Sequence, residues 1–498
     1  MSTFEEAYDT TGHGTFNHIA LLTCGFILLY VTTECLGVGY VLNRAECDLD
    51  ITVTERGLIA ASTLIGVVTP AIFWGYMGDE YGRRKVMLPT ILATVVVSIC
   101  SSMAVNFWNM FLLRLLVGLI ISASCATVYV YLGELHTAKH RAPAIAWGSA
   151  FIALSYFTMP GFGWAILPHK WSLPITGDLN LVPWRVFMWA WCLWGVLAAI
   201  GLYILPESPR YLLATRGPEA VVPVLAKMYA WNHNLHVDDY PVREIISRVH
   251  EIPRLTFIES FKRMGYMIRP PLRRCVIISH ACNFLVFMQS NAFYVWMPHI
   301  VNELLHSQTT LTSMCSLMNS KYSGGEHAHH QHETAECRTV AINNLMYPIS
   351  MVTGVLTAIM YVSIGLVVEK FGKKVVFCSI MITCSLLILG AGLLPHAYVA
   401  IAFLIPGMCG ITANTVLATV AIEVFPTSLR ALALCTLFMI GRLGAAMGAH
   451  LVGMGLQANC TMVVLAMTLT TGGTSLLMLM WPNAQKIREE MEAKAFTY

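Results

Sequence analysis

"GYMGDEYGRRKV" runs from Gly75 to Val86, a knot of charge set between two apolar runs of about twenty residues each. A hydrocarbon layer ~30 Å thick takes ~20 apolar residues to cross as a helix, so the knot reads as the turn between two membrane spans. A weaker copy, "GLVVEKFGKKVV", returns at Gly365 to Val376. Gly75, Asp79, Gly82 and Arg83 correspond to Gly365, Glu369, Gly372 and Lys373. "ELHTAKHR" (Glu134–Arg141) and "EVFPTSLR" (Glu423–Arg430) repeat at nearly the same offset, about 290 residues. Two independent motifs at one offset point to two related halves, the usual build of secondary transporters.

Composition agrees. The 498 residues are 56% hydrophobic and 12% charged, about half of the ~25% charged share of soluble domains. Twelve spans are expected, near 17–42, 56–78, 85–106, 109–132, 143–166, 186–205, 275–298, 346–369, 375–394, 398–420, 431–455 and 460–481. The fold class is therefore an all-α membrane protein of twelve helices in two six-helix bundles. The divisions expected are an N-terminal segment 1–16, a bundle 17–205, a central loop 206–274, a bundle 275–481 with a long outer loop 301–345, and a tail 482–498. In the central loop, Pro218–Trp231 predicts a short helix and 241–250 a weaker one. Residues 1–15 lack a basic region, so span one is expected to be an uncleaved insertion signal. Most of the 31 Lys and Arg fall on one side of these spans, which places both termini and the central loop in the cytosol. That bias also accounts for the net charge of +3, and no nucleic-acid partner is expected.

Asp79, Glu134 and Glu423 end spans two, four and ten, where the helix macrodipole is already negative. Arg141 and Arg430 have the mirror problem at span starts. Charges set against their own helix dipoles need partners. The simplest are one another, paired across the cytosolic face as a latch that forms in one conformation and breaks in another. Gly75 permits close helix contact, and Gly82 the left-handed turn that reverses the chain. Arg83, Glu369 and Lys373 complete this gate set. Positive-inside residues in tight turns are the alternative for its basic members.

The Gly75 stretch resembles the loop 2–3 signature of the major facilitator superfamily. "PESPR" (Pro206–Arg210) is similar to the motif that follows span six in its sugar and organic-ion porters, and the resemblance adds Glu207 and Arg210 to the gate. "RLLVG" (Arg114–Gly118) and Trp184–Arg185 fit the same group. "TECLGVGYVLNRAECDLD" (Thr33–Asp50) and "GRLGA" (Gly441–Ala445) resemble the synaptic vesicle glycoprotein and related-protein branch. There are departures. Val31 stands where that branch often carries an acid, and "WPNAQK" where Pro-Glu-Thr often follows the last span. The loop 301–345 is too short for the branch's folded luminal domain, and the sequon at Asn459 lies close to the membrane. The resemblance implies a smaller related protein with the twelve-span transporter fold.

Ionisable residues at membrane depth are costly and mark functional sites. Glu34, Arg114 and Arg442 are the three expected there. An unpaired Glu34 would suit proton coupling, whereas a partner such as Arg442 would favour charge binding; each could also be a structural ion pair. Tyr129, Trp147, Tyr156, Asn283, Gln289, Asn291 and Asn414 could line a cavity for a small organic molecule, or pack helices. Trp296 fits an interfacial belt better. His327, His329, His330 and His332 could bind metal or sense pH at a loop tip, or simply be solvated. Cys315 and Cys337 flank them and are expected to pair, with Cys47 as competitor. The expected function is transport of a small organic solute by alternating access, with proton coupling open. The alternative is a non-transporting vesicle regulator, receptor or scaffold of the same fold. No enzymatic motif or cofactor is expected. A monomer in the plasma membrane or a vesicle, partnered by lipid and solute, completes the reading.

Overall fold

Backbone amides and carbonyls inside hydrocarbon must be bonded within the chain, so apolar runs of this length fold as helices. The computed structural model describes residues 2–176, 179–246, 265, 267–306, 313–323, 343–425, 427–482 and 487. A short α1 (Phe4–Asp9) precedes span one, which runs through α2 (Thr15–Leu36) into α3 (Val38–Leu49). Span two is α4 (Val53–Val68) and α5 (Ala71–Tyr81), bent by 40° where Pro70 has no N–H to give the helix. Then come α6 (Arg83–Ser102), α7 (Phe107–Glu134), α8 (Ala138–Ile166) and α9 (Pro183–Ile204). The central loop carries α10 (Pro209–Arg216) and α11 (Val222–His233). The second half holds α12 (Arg273–His306), α13 (Met314–Ser323), α14 (Met346–Phe371) and α15 (Lys373–Leu393). It continues with α16 (Ala397–Met408), α17 (Ala413–Val424), α18 (Thr427–Ala458) and α19 (Cys460–Leu479). Among the described residues eleven helices are long and apolar enough to cross a membrane, and the bent pair makes twelve.

Two faces can be distinguished. The motif face carries Gly82, Gly372 and the end of α19, where Lys374 Nζ donates to the carbonyl of Trp481 at 2.6 Å. α1 also docks at this face, and Ser2–Thr3 (β1) pairs in parallel with Ile245–Ile246 (β4). The far face carries the loop of α13 and the hairpin of β2 (Leu173–Thr176) and β3 (Leu179–Leu181). One apolar core runs through the N-terminal half and on across the far-face ends of α12, α14 and α18. The motif-face end of the second half has a separate core around Phe377, Met381, Val416 and Leu417. Among the described residues the apolar core is thus shared by the two halves at the far face and divided at the motif face. Two glycines permit the sharing: a side chain at Gly39 would strike the carbonyl of Val295, and one at Gly354 the amide of Phe157.

Three expectations are corrected. Residues 245–246 form a strand rather than part of a helix over 241–250, because their amides find a partner in β1. Trp296 is not in an interfacial belt: it is buried, and its indole N–H donates to Ala449 O at 2.8 Å. Cys315 does not pair with Cys337, which lies outside the described residues; it is bonded to Cys460, with Cα atoms 5.0 Å apart. The reason is local packing, since Asn319 of α13 accepts from the Cys460 amide at 2.8 Å and seats that helix on the start of α19. Non-reducing peptide mapping should therefore recover Cys315 joined to Cys460. Cys460→Ser should expose a free thiol at Cys315, and recovery of Cys315 joined elsewhere would refute the assignment.

Candidate functional site

Glu34 on α2 and Arg114 on α7 are fully buried and 2.7 Å apart. Arg114 Nε and Nη2 donate to Ser101 Oγ at 3.1 and 2.5 Å, and Nη2 also reaches Ser98 Oγ at 3.2 Å. The other Glu34 oxygen accepts from Trp191 Nε1 at 3.1 Å. Arg114 also lies 5.4 Å from the centre of the Trp191 ring. Two buried charges are tolerable only when their remaining hydrogen-bond capacity is filled, and here four helices fill it. Glu34 is therefore paired with Arg114, not with Arg442. Sequence reasoning missed Ser98, Ser101 and Trp191. The signal was the i, i+3 spacing of hydroxyls inside an apolar span.

Arg442 on α18 has a different environment. Its Nη1 reaches Cys125 Sγ of α7 at 3.2 Å, and Cys35 and Tyr129 lie within its electrostatic reach. Among the described residues no carboxylate forms an ion pair with it. Tyr129 shares a hydrogen bond with Ser149, at 3.2 Å. Tyr156 of α8 meets Tyr294 of α12 edge to face at 4.4 Å, joining the halves over a small cavity that Thr353 and Thr357 also line. Thr353 Oγ1 and Asn414 Oδ1 are buried and have no hydrogen-bond partner among the described residues. The other amides are engaged: Asn283 donates to Leu437 O, Gln289 to Gly407 O and Asn291 to Phe287 O, at 2.6, 3.3 and 3.2 Å. Trp147 is 67% exposed and stands apart from this centre.

At the motif face the charged residues pair within the N-terminal half. Arg83 bridges Asp79 at 2.8 Å and Glu134 at 3.2 Å. Glu207 accepts from the amides of Arg84 and Lys85 at 3.1 and 3.2 Å and so caps α6, directly after Gly82, whose φ is +107°. Arg141 Nε donates to Gly133 O at 3.0 Å. Gly75, expected at a close helix contact, has no neighbour among the described residues within 4 Å of where a side chain would begin. Lys373 opens α15, while the side chains of Glu369, Glu423 and Arg430 lie outside the described residues, as do His327, His329, His330 and His332.

Two features went unread in the sequence. First, α1 docks on the motif face: Arg210 pairs with Glu5 at 2.8 Å, and the Tyr8 hydroxyl donates to Glu134 O at 2.8 Å. The signal was the capping box of Thr3 and Glu6, which starts that helix. Second, at the far face Arg56 bonds Glu46 at 2.9 Å and Asn43 at 2.5 Å, and lies 5.4 Å from the centre of the Trp296 ring in the other half.

Below α1, His13 stacks on His140 at 4.4 Å and meets His18 at 5.3 Å and His136 at 6.0 Å. Burial pushes His136 down to about 4, with His13 and His140 adding to the effect. His13 is held below the usual range by burial and then by His140 and His18.

A sequence model of the family described as Major Facilitator Superfamily matches residues 22–449. Synaptic vesicle glycoprotein 2A of Rattus norvegicus is 24% identical over 326 residues, covering 60% of this chain and 44% of that protein. Synaptic vesicle glycoprotein 2C of Rattus norvegicus is 26% identical over 343 residues, 64% of this chain and 47% of that one. The chain thus spans about half the length of the curated relatives it matches. Among solved structures, a partially occluded inward open conformation of the xylose transporter XylE from E. coli has a TM-score of 0.65 at 14% identity, covering 96% of this chain and 98% of that one. The nucleoside transporter NupG has a TM-score of 0.59 at 10% identity, covering 95% and 99%. At these identities the likeness is one of fold.

Two predictions follow from the geometry. Removing one member of a buried ion pair costs about 3–5 kcal/mol, so Glu34→Gln and Arg114→Met should each lower the melting temperature markedly. The double variant should recover much of that loss, and a double variant as unstable as the sum would show that the two do not act as a pair. The second concerns pH. Undocked, an imidazole protonates near ~6.5, whereas docked His136 resists down to about 4. The undocked state therefore binds more protons between these values, and docking of the N-terminal segment weakens as pH falls through that window. Amide exchange of residues 3–13 should be slow above pH ~6.5 and accelerate, beyond the intrinsic pH effect, towards the lower limit. Unchanged protection across the window would refute it.

Proposed function

The chain belongs to the Major Facilitator Superfamily, and from that premise we propose that it moves a small organic anion or zwitterion across its membrane by alternating access, with Arg442 holding the negative charge of the solute. The observation that carries this reading is the division of charge at membrane depth. Glu34 and Arg114 neutralise one another, while among the described residues the side-chain partner of Arg442 is the thiol of Cys125. A guanidinium in a low-dielectric site attracts a carboxylate, sulfonate or phosphate far more strongly than in water. The Thr353 hydroxyl, without a hydrogen-bond partner among the described residues, lines one small cavity with the rings of Tyr156 and Tyr294, and the two suit the polar and apolar parts of such a molecule.

In this reading the solute enters and leaves between the separate cores of the motif face, and the Arg56–Trp296 contact closes the other side. In this scheme both termini lie in the cytosol, so the described conformation opens inward. Arg83, Asp79 and Glu134 would exchange partners with Glu369, Glu423 and Arg430 of the second half as the motif face closes, with a single chain as the transporting unit. Proton drive is not required by this arrangement, because Glu34 is already neutralised.

The test is uptake by sealed vesicles carrying the purified protein, given a mixed pool of carboxylates, organic cations and neutral sugars. A charge-assisted hydrogen bond contributes about 1.5–3 kcal/mol, so Arg442→Gln should reduce carboxylate uptake by roughly ten- to hundredfold. Accumulation of cations or sugars, unaffected by Arg442→Gln, would overturn the anion reading. No accumulation by folded protein would favour the non-transporting regulator that the vesicle-protein relatives suggest.

A further inference from the structure

A second concavity lies away from Arg442, at the motif-face end of α12. Its volume is about 480 Å³, and Val276, Ile277, Ala281, Phe284 and Leu285 of α12 line it together with Ile440 of α18. That is within the range of ~300–1,000 Å³ typical of ligand sites, but such sites carry convergent polar groups, and this wall offers none. The histidine that borders it, His280, has both ring nitrogens engaged, one with Val276 O at 2.8 Å and one with Thr436 Oγ1 at 3.0 Å. A polar solute has nothing to hold, so the occupant is hydrocarbon. The mouth is the opposite in character. Arg273 stands there, exposed, at the start of α12, with the exposed Arg274 beside it and Arg269 one turn earlier.

Position along the helix sets the length of the occupant. Residues 273, 277, 281 and 285 follow at i+4 steps and form one stripe. At 1.5 Å per residue the stripe is ~18 Å long, close to half of a ~30 Å hydrocarbon core. One end is cationic and at the membrane surface; the other is apolar and near the midplane. We propose that this groove binds a single anionic phospholipid, with an acyl chain along the stripe and its phosphate at Arg273. Clustered basic residues at the ends of spans attract anionic headgroups, and the groove adds what a surface patch lacks, a fixed place for the tail.

Native mass spectrometry on the full-length protein, released from equal mixtures of phosphatidylglycerol and phosphatidylcholine, tests this. The native protein should retain one phosphatidylglycerol in at least fivefold preference. Arg273→Gln should still retain a lipid but lose the preference, because only the headgroup contact is removed. Ala281→Trp, which fills the groove, should retain neither, with an unchanged melting temperature showing that it is folded. A folded Ala281→Trp that keeps phosphatidylglycerol, or a native protein without preference, would overturn the proposal. If Ala281→Trp fails to fold, an unchanged preference in Arg273→Gln refutes it by itself.

Discussion

The interaction between Glu34 and Arg114 organises the N-terminal half. Inside a membrane neither charge is tolerable alone, and the pair is tolerable only because Ser98, Ser101 and Trp191 complete it. That requirement binds α2, α6, α7 and α9 to one fixed point. It also decides what the rest of the interior can do. With one acid and one base cancelled, Arg442 on the opposite half keeps a thiol as its side-chain partner among the described residues. The chemistry proposed for the solute follows from this subtraction more than from any property of Arg442 itself.

The two halves share a motif but do not use it alike. In the first half Glu207 caps the helix that follows Gly82, and α1 adds Glu5 and Tyr8 to the same region. In the second, Gly372 also has a positive φ, +83°, but among the described residues nothing packs within 4 Å of where its side chain would begin. The copy of the motif is weaker in sequence, and its surroundings are more open. The far face shows the reverse: a single apolar core crosses the boundary there. An apolar core shared at one end and divided at the other is the arrangement that rocking of two halves requires.

Much of the architecture was legible because its causes are local. Apolar runs become spans whatever surrounds them, and the repeat at Gly75 and Gly365 announced two halves. Glu34, Arg114 and Arg442 were legible one by one, since a charge in an apolar run is conspicuous. Their pairing was not, because Glu34 and Arg114 are 80 residues apart and nothing in either run names the other. Ser98 and Ser101 were obscure for another reason: a hydroxyl in a span can bond its own helix and so need have no other task. Trp296 misled because a tryptophan serves equally at a lipid interface and in a packed junction. Cys460 was overlooked because thiols beside spans pass as small apolar residues.

The bond between Cys315 and Cys460 has a bearing on how the molecule comes into being. It joins residues 145 apart in sequence, so four of the membrane spans lie within the ring it closes. The ring cannot close until the ribosome has passed Cys460 and all four of those spans have been made. Until then Cys315 waits on α13 with its partner unsynthesised, free to be captured by other thiols. Oxidation at this site therefore records that these spans have been made and brought together, and a chain stalled before α19 would carry that thiol unmatched.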